Sequence, residues 1–286
     1  MTDDTVSDDD FDQQLREQMR HLGDSVSEQS EQSKQDFCPT PTAVGLHKFL
    51  TACQDARLFG VIVGPPGAGK THALKHYKYD RGAIYRVEPP PNANDQDGFL
   101  ERLCTVLDAV AVRSKSKATR YELAVSRMRR GLQRDDSDWG YGRHGNPLLI
   151  IDEAQRLQDN ALELIRSIHD QVGGATVLCA NPRFESRLFP KVNRKQPHPF
   201  PQLAARIDRV YRCDDTVHGD DFDALCEHYR IGSKEARDLV WGKVRSPRRL
   251  YAFRTIINVA HQFVPRGSVL SADTIRNAFE QLSLEM

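Results

Sequence analysis

Gly64-Pro65-Pro66-Gly67-Ala68-Gly69-Lys70-Thr71 decides the fold of this chain. The stretch fits the phosphate-binding pattern G-x-x-x-x-G-K-[ST] at every fixed position. The apolar run Leu58-Phe59-Gly60-Val61-Ile62-Val63 leads into it, and a helical pattern follows from Lys70. That is a strand, a glycine-rich turn and a helix in the order the chemistry needs. Successive backbone N–H groups of such a turn point at phosphate oxygens, and the helix N-terminus adds positive potential. Gly64, Pro65, Pro66, Gly67, Ala68 and Gly69 would form the cradle, and His72 would follow in the first helical turn. Lys70 would reach the β- and γ-phosphates of ATP, and the Thr71 hydroxyl would ligate Mg²⁺.

A second run supports the first. Leu148-Leu149-Ile150-Ile151 is continuously apolar, as in a strand buried on both faces of a parallel sheet, and it ends in Asp152-Glu153. Strand ends in such sheets face the ligand crevice. Asp152 would hold Mg²⁺ through water, and Glu153 would polarise an attacking water.

Working outward, strands are expected at 58–63, 83–88, 148–152, 175–180 and 209–213. Helices are expected at 43–56, 70–79, 97–111, 119–134, 160–171 and 201–207. The alternation gives an α/β fold, a parallel sheet flanked by helices. After about residue 215 the strands stop. Helical patterns at 220–230, 233–242, 247–262 and 271–282 predict a small all-α lid. Residues 1–36 hold eleven acidic and three basic residues and few large apolar ones, so a disordered acidic tail is expected there. The expected organisation is a tail over 1–36, a nucleotide-binding core over 37–215 and a lid over 216–286.

The chain has 286 residues, 39% hydrophobic and 28% charged, within the globular range. No run approaches a membrane span, and no secretory signal is visible at the N-terminus. Six scattered cysteines without a C-x-x-C pair read as reduced thiols in a cytoplasmic protein. The net charge of zero hides an asymmetry: beyond residue 36 the chain carries 37 basic and 29 acidic residues. A basic body suits a polyanion, although an acidic tail also serves solubility alone.

Other residues complete the candidate site. Thr176-Val177-Leu178-Cys179-Ala180-Asn181 is an apolar strand with a polar end; Asn181 would face the γ-phosphate and orient the lytic water. Asn181-Pro182 also fits a purely structural turn. Gln202–Arg209 reads as a short helix whose Arg206, or secondarily Arg209, would stabilise transition-state charge at a neighbouring subunit's γ-phosphate. Arg248 or Arg249, opening the long lid helix, would contact nucleotide from the lid side. Between residues 113 and 134, eight basic residues face a single acid, Glu122. Arg113, Lys115, Lys117, Thr119 and Arg120, on a loop between two helices, could bind a phosphate backbone without reading bases. A solvated face is the alternative, since no aromatic residues interleave to stack bases.

With these pieces in order, the chain resembles the AAA+ ATPases. More narrowly, it is similar to the family of transposition regulators that includes phage Mu transposition protein B, TnsC and TniB. The resemblance covers roughly residues 37–286. It rests on Ile150-Ile151-Asp152-Glu153-Ala154-Gln155-Arg156-Leu157, on the helix containing Leu164–Asp170, on the strand to Asn181, on Phe200–Ile207 and on Ser271–Leu284. It implies an AAA+ P-loop NTPase core with an α-helical lid. It also implies ATP-dependent assembly into a ring or helical filament on duplex DNA, largely without sequence preference. Recruitment and stimulation of a transposase, and disassembly on hydrolysis, would follow. The 113–120 loop falls where that family contacts DNA. The N-terminal helix-turn-helix domain of the Mu protein has no counterpart before residue 37. The rival readings are a helicase loader or replication initiator, a P-loop small-molecule kinase, and an ExeA-type scaffold without DNA contact.

Overall fold

Three strands in which every residue is buried form the centre of the sheet: β1 (Phe59–Val63), β3 (Leu148–Ile151) and β4 (Ala175–Ala180). The flanking strands β2 (Ile84–Val87) and β5 (Ile207–Arg212) are only partly buried, because each has a neighbour on one side alone. The five run parallel in the order β2-β3-β4-β1-β5. This computed structural model describes residues 37–91, 95–108, 116–130, 145–190, 200–244, 249–265 and 267–282. The chain divides into two units, Met1–Pro39 and Thr40–Met286, and every element named here belongs to the second.

The strand order places β1 at a topological switch. From β1 the chain leaves for the far edge at β2, returns through β3 and β4, and then passes over β1 to β5. In open α/β sheets the ligand crevice lies beyond the C-terminal strand ends at such a point. The phosphate-binding sequence begins at the residue after β1.

Helices cover both faces. Phe59, Val61 and Val63 of β1 point into the main core with Leu149, Ile151, Leu178 and Ala180. They meet Phe99, Leu100 and Leu103 of α3 (Gln96–Val106), Ala124 and Met128 of α4 (Lys117–Arg130), and Leu162, Ile165 and Ile168 of α5 (Asp159–Val172). The other face carries α1 (Pro41–Ala56) and α2 (Lys70–His76). Thr40 caps α1 through its hydroxyl, with Pro41 in the first turn, and Arg57 ends it in the left-handed conformation.

Two helices depart from expectation. Asn181-Pro182 opens a helix, α6 (Pro182–Leu188), instead of a turn: the Asn181 side chain accepts from Phe184 N–H, and Pro182 occupies the first helical turn, where its missing N–H costs nothing. The expected 201–207 helix stops early, as α7 (Pro201–Ala204), and β5 starts at Ile207. Arg206 therefore lies in a turn and Arg209 in an edge strand. Ile207 and Val210, packed against the core on either side of a shift in the register with β1, draw the segment into the sheet.

Beyond β5 the described residues form only helices: α8 (Gly219–His228), α9 (Lys234–Val244), α10 (Arg249–Ala260) and α11 (Ala272–Gln281), with one isolated bridge between Ile231 and Leu270. Phe222 packs at a tilt against Trp241, 4.7 Å between ring centroids, and meets Phe253 edge-on at 6.3 Å. Asp221 of α8 fastens this layer to α1, its carboxylate accepting from Thr42 N–H at 2.8 Å and from Thr42 Oγ1 at 2.5 Å. Among the described residues no helix is long and apolar enough to cross a membrane.

Candidate nucleotide site

The glycine-rich turn is built to keep its backbone open. Gly67 and Gly69 adopt φ of 78° and 80°, the left-handed region that favours glycine. Gly64 has no room for a side chain: a Cβ there would lie 2.6 Å from Cys213 Cβ. The Lys70 ammonium folds back into the loop and donates to the carbonyls of Gly64 at 2.7 Å and Pro65 at 2.9 Å. A cation held only by two carbonyls beside the open turn fits a triphosphate, whose oxygens are stronger acceptors. Thr71 follows in the first turn of α2, half-buried, and His72 is exposed.

The neighbouring strand ends converge here. Gly64 N–H donates to Ala180 O at 3.1 Å, which sets the end of β4 beside the start of the loop. Asp152 N–H donates to Val87 O at 2.9 Å, continuing the ladder from β2 past the end of β3. Asp152 Oδ1 accepts from Glu153 N–H at 2.9 Å. Burial holds the Cys179 thiol of β4 well above its ordinary pKa; the Asp152 carboxylate beside it raises it further, and Lys70 pulls the other way. Among the described residues no group of three or more His, Cys, Asp or Glu side chains could hold a metal ion. A cation here would draw its ligands from Thr71, Asp152, water and phosphate.

Glu153 sits at φ 54° and ψ 36°, uncommon for a residue with a side chain, and opens a single 3₁₀ turn, Ala154–Arg156. That turn carries Gln155, which sequence reasoning gave no role. Its amide donates to Glu153 Oε2 at 2.6 Å, and its Oε1 accepts from Asn181 N–H at 3.3 Å. Asn181 Oδ1 is taken by its cap to α6, so only the Asn181 amide nitrogen is left to face a phosphate.

The helical region approaches the loop at Leu250. A Cβ on Gly69 would stand 3.2 Å from Leu250 Cδ1, so α10 begins directly over the glycine-rich turn. Arg249 opens that helix, and Arg248 lies outside the described residues.

Arg206 and Arg209 are not at this site. Ile207 pairs in register with Phe59, the first residue of β1, whereas the loop follows Val63, the last. Arg206 therefore sits at the opposite end of the strands, about 15 Å away at roughly 3.3 Å per residue. Its Nε donates to Asp170 Oδ1 at 2.8 Å, and its side chain is 53% exposed. Arg209 is exposed on β5.

The basic segment is described in part. Arg113 and Lys115 lie outside the described residues. Lys117 and Thr119 are exposed in the first turn of α4, where Ser116 caps the helix, and not on a loop. Arg120 is turned inward, 15% exposed and paired with Asp97 at 3.2 Å. Arg127, Arg129 and Arg130 are exposed further along α4.

A family profile described as an AAA domain matches residues 53–188. The chain is 24% identical over 255 residues to the ATP-dependent target DNA activator B of Escherichia phage Mu and, equally, to that of Escherichia phage D108, covering 87% of this chain and 74% of each relative. Over most of its length the chain is thus similar to the Mu B-like AAA+ ATPases. A third relative, the Mu-like prophage FluMu DNA transposition protein B of Haemophilus influenzae, is 25% identical over 171 residues, 60% of this chain and 54% of the relative. Among solved structures, a variant of Thermotoga maritima RuvB is similar, with a TM-score of 0.49 and 16% identity over 84% of this chain and 70% of that one.

Proposed function

We propose that this ATPase assembles with ATP on duplex DNA, largely without sequence preference, and there recruits and activates a transposase, with hydrolysis driving disassembly. The observation that carries the reading is the position of Arg206. An exposed arginine at the far strand ends cannot serve the nucleotide of its own subunit, but it can serve one bound by a neighbour. ATP then joins two subunits, and loss of the γ-phosphate releases them. The names of the relatives, which specify ATP dependence, target DNA and transposition, support the same reading.

In this account the turn 64–69 and Lys70 bind the triphosphate. Thr71 and Asp152 hold Mg²⁺, which would neutralise phosphate charge. Glu153 accepts the proton of the attacking water, and the Asn181 amide orients it. Arg206 from the neighbour stabilises charge on the transferred group. Arg249 or Arg248 contacts nucleotide from the lid, with residues 37–215 as core and 216–286 as lid. Lys117, Thr119, Arg127, Arg129 and Arg130 on α4, with Arg113 and Lys115 before it, offer the phosphate-binding face.

The test is ATPase rate and negative-stain particle shape, with and without random-sequence duplex, using Glu153→Gln to hold the ATP state. Rings or filaments on DNA, with a raised rate in the wild type, are expected. A monomer indifferent to DNA would overturn the reading.

A further inference from the structure

We infer that Gln155 is a positioning residue for hydrolysis: its side-chain amide fixes the Glu153 carboxylate relative to the end of β4. The inference rests on the reading of Glu153 as the base. An amide has a donor end and an acceptor end, and here each has its own partner. The Nε2 end donates to Glu153 Oε2 at 2.6 Å; the Oε1 end accepts from the backbone N–H of Asn181 at 3.3 Å. That N–H belongs to the residue after β4, and Ala180, the last residue of β4, accepts from the first N–H of the phosphate-binding loop. One side chain therefore ties the Glu153 carboxylate to the strand that borders the phosphates.

Backbone geometry alone would leave that carboxylate free to rotate. Glu153 lies outside β3, in the left-handed conformation, so its side chain departs from the strand direction with no ladder to orient it. Arg156 adds a second hold on the same oxygen, Nη2 to Oε2 at 3.6 Å, and is itself anchored by Glu88 at the end of β2 at 3.0 Å. Both contacts fall on Oε2. Oε1 is left as the oxygen that can receive a proton. A carboxylate fixed on one side and open on the other is pre-oriented for water, and displacement by about 1 Å can cost on the order of 100-fold in rate.

The experiment separates positioning from simple support by using the two ends of the amide. In the full chain, Gln155→Lys keeps a donor towards Glu153 and gives up the acceptor for Asn181 N–H. Gln155→Glu does the reverse and sets a second carboxylate against the first. Steady-state ATPase with random-sequence duplex would give kcat and KM for ATP, and thermal melting would give Tm. The expected result is a larger fall in kcat for Gln155→Glu than for Gln155→Lys, by roughly tenfold or more, with KM changed less than about twofold. The opposite order, with kcat following Tm, would reduce Gln155 to a structural tie and overturn the inference. So would unchanged or raised turnover in Gln155→Glu. Glu153→Gln runs alongside. If it abolishes turnover while both Gln155 variants match the wild type, the positioning role alone fails. If Glu153→Gln turns over normally, the base assignment falls and this inference with it.

Discussion

Asp170 holds two arginines at once: Oδ1 accepts from Arg206 Nε at 2.8 Å and Oδ2 accepts from Arg166 Nη1 at 2.7 Å. Arg166 is in turn bound by Glu163 at 2.8 Å. The contact to Arg206 uses only Nε, so the two terminal nitrogens of that guanidinium remain available as a fork for a phosphate. Together these charges hold the Asp170 carboxyl below its usual range in spite of its burial, the bond from Arg206 being the largest lowering influence.

Arg206→Ala should therefore leave ATP binding intact and lower turnover by roughly 10²–10³-fold. Because the arginine would serve a neighbour, mixing is the decisive assay. Lys70→Ala subunits cannot use ATP, and Arg206→Ala subunits cannot complete a partner's site. Neither alone should hydrolyse ATP, while a mixture should recover part of the wild-type rate. A mixture as inactive as its components would overturn the action of Arg206 across a subunit interface.

Arg86 presents a different use of charge. It lies half-buried on the edge strand β2 and donates to the carbonyls of Leu74, at 2.7 Å, and Tyr77 at the C-terminal end of α2. Burial lowers its pKa, and no lowering brings an arginine near neutrality in the working range. A cation at that helix end offsets the macrodipole and supplements the long 3.4 Å bond that Leu74 O accepts from Tyr77 N–H. Arg86→Ala should cost about 1–3 kcal/mol in urea unfolding, with Arg86→Lys losing less. Since α2 carries Lys70 and Thr71, ATP affinity should fall with it.

Much of this was legible in the sequence because periodicity and strict motifs report local chemistry. The buried strands β1, β3 and β4 read as unbroken apolar runs, and β4 matches the expected residues at both ends. The edge strand β5 was expected at 209–213 and begins two residues earlier, at Ile207, because a strand exposed on one side mixes Asp208, Arg209 and Arg212 with its apolar residues and blurs its start against the preceding helix. The helix after Asn181 was hidden by Pro182, which serves equally in a turn and at a helix start. Gln155 and Leu250 were invisible for another reason. Their roles depend on which strand and which helix lie next to them in space, and no spacing encodes that. The only signal for Gln155 was its place in the tight turn directly after Asp152-Glu153.

Alkaline pH should expose the thiols beneath the loop. Burial pushes Cys213 from 9.0 to about 11, against the pull of Lys70 and with Asp214 and Asp221 adding to the rise. A raised pKa in the fold means that the stabilising contribution is complete below the unfolded value near 9 and is lost as pH rises through about 11. The urea midpoint should therefore fall over that window. Cys213→Ser, which does not titrate there, should show a shallower decline, and an equal decline in both proteins would assign it to other groups.

The contact between Leu250 and Gly69 predicts how the lid responds to nucleotide. Gly69 needs its positive φ for the loop and its missing Cβ for the lid, since an added carbon would press on Leu250 Cδ1 at 3.2 Å. Gly69→Ala combines backbone strain of about 1–3 kcal/mol with that overlap and should weaken ATP binding strongly. Leu250→Ala removes only the lid side of the contact. It leaves the loop free to hold phosphate, so the association rate for a fluorescent ATP analogue should stay near wild type. The dissociation rate should rise several-fold, because about 2–3 kcal/mol of apolar packing is the most that side chain can contribute to closure. Stopped-flow traces separate the two rates. A changed association rate with normal dissociation would mean that Leu250 shapes the loop before nucleotide arrives and does not retain it afterwards.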